Sequence, residues 1–174
     1  MTIERRALAA ELRAKGRRLE GYAATFGTEA RIGDFTETIA PGAFRASLAT
    51  GRDILALVDH DQARMLARTR SGTLRLSEDS RGLAFDLDVP ATTAGNDVLA
   101  LAERGDLGGM SFAFTVDKAG EDWRGDARTL RSVTLHEISA VAAWPAYDGT
   151  IVHARARGII HPRLALARRY LETL

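Results

Sequence analysis

The sequence predicts a mainly β fold with a few inserted helices, closed as an antiparallel β-barrel. Three observations predict it. Short segments of alternating apolar and polar residues recur along the chain, the pattern of strands with one buried and one wet face. Clusters of Gly, Pro and Asp punctuate them, so only short helices fit between strands. The 174 residues, 45% hydrophobic and 27% charged, suffice for one filled core and are few for two. A closed or nearly closed barrel is the natural way for this many strands to dispose of their edges.

Residues 3–15 mix apolar and charged side chains without strict alternation, so 1–18 reads as a flanking, partner-dependent segment. Residues 19–26 (LEGYAATF) read as a strand closed by Gly27, and 31–39, with Phe35, Thr36, Thr38 and Ile39, as a short strand. Ala40, Pro41 and Gly42 break the chain before a short helix over 43–50 that Gly51 ends. The apolar run at 53–58 (DILALV) marks a buried strand and delivers His60 at its end. Strands at 73–77 and 83–89 flank hairpin chemistry at 78–82. In the second of them Leu83, Phe85, Leu87 and Val89 share one face, and Asp86 and Asp88 the other. Thr92 or Thr93 caps a helix over 94–104, stopped by Gly105. Gly108 and Gly109 lead into a strand over 110–116. A polar loop over 117–126 then connects to one long strand over 129–141, ended by Trp144 and Pro145. Helical spacing returns at 162–171, where Leu164, Ala167 and Leu171 recur among arginines. The barrel domain is thereby bounded at 19–152, with a basic C-terminal segment at 153–174.

Composition excludes several classes. The chain has no Cys, which removes disulfides, thiolate nucleophiles and cysteine-based zinc sites. Net charge is +1, against a dedicated nucleic-acid binder that works by neutralising phosphates. No run approaches the roughly 18 apolar residues of a membrane-spanning helix, so no membrane partner is expected. The charged N-terminus lacks the apolar stretch of a secretory signal, so the chain is expected to stay in the compartment where it is made.

Nucleophilic catalysis needs a hydroxyl or thiol, a base and a group that orients the base. Without Cys the nucleophile is Ser or Thr, and His is the natural base near neutral pH. Of four histidines, His60 sits at the end of an apolar strand between Asp59 and Asp61, His136 lies in the last long strand, and His153 and His161 fall in the basic tail. Ser111 follows Gly108-Gly109-Met110. Alternation puts it on one face with Ala113 and Thr115, opposite the apolar Met110, Phe112, Phe114 and Val116. The paired glycines allow positive φ or close backbone approach just ahead of the serine, which suits a nucleophile beside an oxyanion site. Glu137 and His136 lie on opposite faces of one strand, so only one can point towards His60 and Ser111. Asp61 competes with both for the orienting role. The bland alternatives are a serine on a solvent face and a Glu137 paired with Arg128 or Arg131.

These segments resemble, in order and spacing, the prohead proteases of tailed phages. The resemblance rests on Gly21-Tyr22-Ala23-Ala24 with Phe26, Ile39-Ala40-Pro41-Gly42-Ala43-Phe44, and His60-Asp61. It continues through Arg68-Thr69, Gly72 to Leu76, Gly82-Leu83 and Gly105-Asp106 to Gly109-Met110-Ser111-Phe112-Ala113-Phe114, then Glu137-Ile138-Ser139 and Pro145-Ala146-Tyr147. It spans about 19–152. Ala67 departs from it, standing where the family usually has Gly.

The resemblance implies a β-barrel serine endopeptidase of the herpesvirus-assemblin type, with His60 as base, Ser111 as nucleophile and Glu137 at the third position. Its implied substrates are the scaffold segment of the major capsid protein and the chain itself. A homodimer is among the assemblies it allows, and no cofactor is required. The implied setting is the assembling procapsid of a phage or phage-derived particle in the cytoplasm of a bacterial host. The basic segment at 153–174 would then serve docking and self-cleavage.

Overall fold

The structure, a computed structural model, describes residues 2–8 and 12–142. The strands form three sheets instead of a closed barrel. In chain order the first elements are strands β1 (Glu4–Leu8), β2 (Leu12–Lys15), β3 (Arg18–Thr25), β4 (Ala30–Ile32) and β5 (Phe35–Ile39), then helix α1 (Arg45–Ala49). Strands β6 (Leu55–Val58), β7 (Asp61–Arg68), β8 (Leu74–Glu78) and β9 (Gly82–Asp88) precede helix α2 (Thr93–Arg104). The last four strands are β10 (Gly109–Thr115), β11 (Glu121–Arg124), β12 (Ala127–Leu130) and β13 (Thr134–Val141). A five-stranded sheet runs β1-β10-β13-β6-β7, and two four-stranded sheets run β11-β12-β5-β4 and β2-β3-β9-β8.

The barrel expectation fails for identifiable reasons. Two pairings, β13 with β6 and β12 with β5, are parallel, so the topology is not purely antiparallel. The expected single strand at 129–141 is two strands: the break at 131–133 sends β12 to one sheet and β13 to another. Edges are managed by charge instead of closure. Edge strand β1 carries Glu4, Arg5 and Arg6, and edge strand β7 carries Asp61, Arg64 and Arg68. Four strands form where none was expected: β1 and β2 in the segment set apart at 1–18, β7 after His60, and β11 inside the supposed loop at 117–126. The single strand expected at 31–39 is the hairpin of β4 and β5. The C-terminal helix expected at 162–171 lies outside the described residues.

Where periodicity is clean the expectation holds. Leu83, Phe85 and Leu87 of β9 are buried while Asp86 and Asp88 face outward to Arg75. Thr92 caps α2 by accepting a hydrogen bond from the Gly95 N–H at 3.2 Å, and Gly105 at φ 74° ends it in the left-handed region. The core gathers Leu19, Phe44, Leu57, Phe112, Phe114, Leu130, Leu135 and Ile138, all nearly inaccessible. Phe44 meets Phe112 edge-on at 5.6 Å, and Phe112 stacks on Phe114 at 5.3 Å. Each such ring stabilises the fold by roughly 1.5–3 kcal/mol through burial. β10, which carries two of these rings, is buried on both faces, so Ser111 does not sit on a solvent face.

Candidate active site

His60 occupies a strained turn. Val58 of β6 pairs with Asp61 of β7, which leaves Asp59 and His60 as a two-residue hairpin loop. Both have positive φ, 51° and 62°, the pattern of the turn that matches strand twist. That region is usually left to Gly or Asn and costs other residues roughly 1–2 kcal/mol each. β13 fastens the turn from the side. The Asp59 N–H donates to the Ala140 carbonyl at 2.9 Å, and the Ala142 N–H donates to Asp59 Oδ1 at 3.0 Å. The His60 N–H donates to Ser139 Oγ at 3.2 Å.

The imidazole is fixed by an acid. His60 Nδ1 lies 2.5 Å from Glu137 Oε1, with both side chains largely buried, 19% and 11% exposed. An N–H at Nδ1 facing the carboxylate leaves the Nε2 lone pair free to accept a proton. Glu137 Oε2 accepts the Ser139 hydroxyl at 2.6 Å. Ser139 therefore holds the acid with its hydroxyl hydrogen and the backbone of the base with its lone pair.

A β-bulge aims Glu137. Between β10 and β13 the register slips at Ala113/Phe114, so that His136 is the extra residue on β13. Without the slip Leu135 and Glu137 would share a face. With it, Leu135 and Ile138 are both fully buried, while Glu137 lies opposite Ala113 and Ser139 opposite Ser111. His136 is directed elsewhere: its Nε2 meets Thr115 Oγ1 at 3.0 Å. Burial, then the charge of Arg52, holds His136 below the usual imidazole range. Asp61 is used locally, accepting the Ala63 N–H at 2.9 Å. Of the three candidates for orienting His60, the structure brings Glu137 to it. Arg128 and Arg131 are committed to other acids, Glu4, Glu37 and Glu121 for the first and Asp122 for the second.

Ser111 is the cross-strand neighbour of Ser139, on the face that carries Glu137. Its hydroxyl donates to the Arg6 carbonyl of β1 at 2.8 Å, and the residue is 1% exposed. Gly109, just ahead of it, has φ 153°. β1 is anchored in turn by a buried charge cluster. Arg6 donates to Glu37 at 2.6 and 2.9 Å, and Arg128 donates to Glu4, Glu37 and Glu121 at 2.6–2.9 Å. A cleft of about 380 Å³ between α1 and the start of β13 is lined by Ser47, Arg52 and Thr134 among others, and by none of His60, Ser111 or Glu137. Among the described residues no group of His, Asp and Glu side chains is placed to hold a metal ion, and no helix is long and apolar enough to cross a membrane.

Sequence reasoning missed Ser139 as a participant, although its two-residue spacing from Glu137 was a usable signal. It also missed Arg6, because nothing in the pattern of residues 3–15 announces a strand.

The structure thus joins a carboxylate and an imidazole beside a sheet face that also carries Ser111. The chain belongs to the caudovirus prohead serine protease family, whose family model matches residues 2–163. No curated protein and no solved structure matches the chain.

Proposed function

We propose that this chain is a serine endopeptidase of phage procapsid maturation that cleaves the scaffold segment of the major capsid protein and itself. The observation that carries this reading is the His60 Nδ1–Glu137 Oε1 contact at 2.5 Å, on the sheet face that also holds Ser111. A hydroxyl alone is a poor nucleophile; a neutral imidazole with its tautomer fixed by a carboxylate is what activates one.

His60 Nε2 takes the Ser111 proton as Oγ attacks the peptide carbonyl carbon. Backbone N–H groups near Gly109 to Phe112 stabilise the oxyanion. His60 passes the proton to the leaving amine, and the C–N bond breaks. Water then attacks the acyl carbon and gives a proton to His60, which returns it to Ser111 Oγ as the acyl C–O bond breaks and the new carboxyl terminus leaves. Glu137 stabilises the imidazolium at each stage. No step calls for a metal or an organic cofactor. The setting is the interior of an assembling procapsid in a bacterial cytoplasm, with the basic segment at 153–174 as docking element and the chain as monomer or homodimer.

The covered position of Ser111 favours a second reading, a non-catalytic β-sheet module that binds capsid or scaffold. Labelling with a fluorophosphonate separates the two. The protease reading expects a covalent adduct on Ser111, lost in Ser111→Ala and in His60→Ala. A folded wild-type protein that never reacts, and never trims co-expressed capsid protein, supports the binding module.

A further inference from the structure

β1 stands where an extended peptide would stand. It lies antiparallel on the edge of β10, in register from Glu4 opposite Phe114 to Leu8 opposite Met110. An extended peptide recognised by a sheet edge makes this kind of ladder. The group that meets the Ser111 hydroxyl is itself a peptide carbonyl, that of Arg6 at 2.8 Å. The contact is a hydrogen bond to the carbonyl oxygen. The serine's proton is therefore directed at β1 instead of His60, and the strand is held without being cut.

The opposite face of β1 shows what the position selects. Arg6 and Glu4 project towards Phe114 and Glu37, with the Arg6 guanidinium 5.4 Å above the Phe114 ring. The Glu37 side chain is 2% exposed. Its Oε1 accepts from Arg6 Nε, and its Oε2 accepts from Arg6 and Arg128. Taking β1 away would strip Oε1 of that hydrogen bond and leave one guanidinium, Arg128, beside the carboxylates of Glu37 and Glu121. A buried carboxylate that loses a charged partner is strongly disfavoured, and a basic side chain at the same register restores it.

We infer that β1 is a built-in pseudosubstrate that occupies the peptide-binding edge of β10, and that Glu37 selects a basic side chain at the substrate residue whose carbonyl meets Ser111. This rests on the protease reading and names its substrate class: an extended peptide cut after Arg or Lys. An incoming scaffold peptide displaces β1 and takes its place over Ser111.

The test uses the full chain and a fluorescein-tagged peptide TIERRAL, the sequence of residues 2–8. Arg6→Ala should bind the peptide, and should label at Ser111 with fluorophosphonate, about tenfold better than wild type, the scale of one charge-assisted hydrogen bond. The peptide with Ala for its second Arg should bind Arg6→Ala about tenfold more weakly, and adding Glu37→Gln should abolish that preference. Unchanged or slower labelling of Arg6→Ala at an unchanged Tm would overturn the inference, as would equal binding of the two peptides. Should Arg6→Ala unfold, hydrogen exchange of the wild type decides. β1 amides opening before those of β13 support displacement; β1 amides that exchange only on global unfolding refute it. Peptide binding is read without turnover. Selective binding with no Ser111 adduct in any variant would sink the protease reading and the pseudosubstrate with it, whereas a Ser111 adduct without peptide preference would sink the pseudosubstrate alone.

Discussion

The two flanks of the five-stranded sheet stand in different states. On the β6–β7 flank the base and its acid are assembled: His60 and Glu137 are in contact, and Ser139 ties the acid to the turn. On the β1–β10 flank the nucleophile is covered, its hydroxyl bonded to the backbone of an edge strand. The first flank holds strained backbone in place through bonds to a central strand. The second is closed by β1, held by its ladder on β10 and by the ion pairs of Arg6 with Glu37 and Glu4 with Arg128. Opening that flank means breaking the β1–β10 ladder and the ion pairs that hold Arg6 and Glu4. If His60 is the base and Ser111 the nucleophile, orientation of the base is fixed on folding, while access to the nucleophile waits on displacement of β1.

The largest effect is expected at Glu137. Glu137→Gln should lower peptide turnover roughly 10⁴-fold, the cost of removing an orienting acid in a triad. His136→Ala, whose ring faces Thr115, should do far less. Steady-state rates on a capsid-derived peptide give the ranking, and the reverse order would return the role to His136. Ser139→Ala should reduce kcat by roughly tenfold to a hundredfold, the scale of one lost hydrogen bond to a charged group, with KM little changed. A KM effect alone would mean that Ser139 serves binding instead of orientation.

What was legible in the sequence follows from which physics decides each feature. β9 and α2 were readable because local periodicity and caps fix them: Asp86 and Asp88 alternate with apolar residues, and Thr92 and Gly105 bracket the helix. His60, Ser111 and Glu137 could be singled out because few residue types perform this chemistry and the resemblance placed them. The barrel was wrong because sheet membership depends on pairings distant in sequence, such as Glu137 opposite Leu55, which no local pattern reveals. β1 was overlooked because its side chains enter a charge cluster instead of an apolar core, so Arg6 and Glu4 look like solvated residues. The bulge at His136 could not be read either. It breaks the alternation that the reading of 129–141 assumed.

The smallest effect concerns pH and the anchoring of β1. Burial alone would raise the Glu4 carboxyl, but the hydrogen bond and charge of Arg128, then those of Arg6, outweigh it and hold Glu4 below its ordinary value of 4.5. A carboxyl depressed on folding contributes stability that is fully present above the unfolded value and is lost as pH falls through the folded one. The Tm difference between wild type and Glu4→Gln should therefore be largest near neutral pH and shrink below about pH 4.5. A difference that grew on acidification would contradict the assignment of Glu4 as an ionised anchor.

Whether Ser111, activated by His60 and Glu137, cuts capsid protein is decided by co-expressing the chain with its capsid protein and weighing the products by intact-mass spectrometry. Wild type should yield capsid protein shortened at its N-terminal scaffold segment, and Ser111→Ala, folded to the same Tm, should leave it full length. Capsid protein trimmed equally by both would contradict the account.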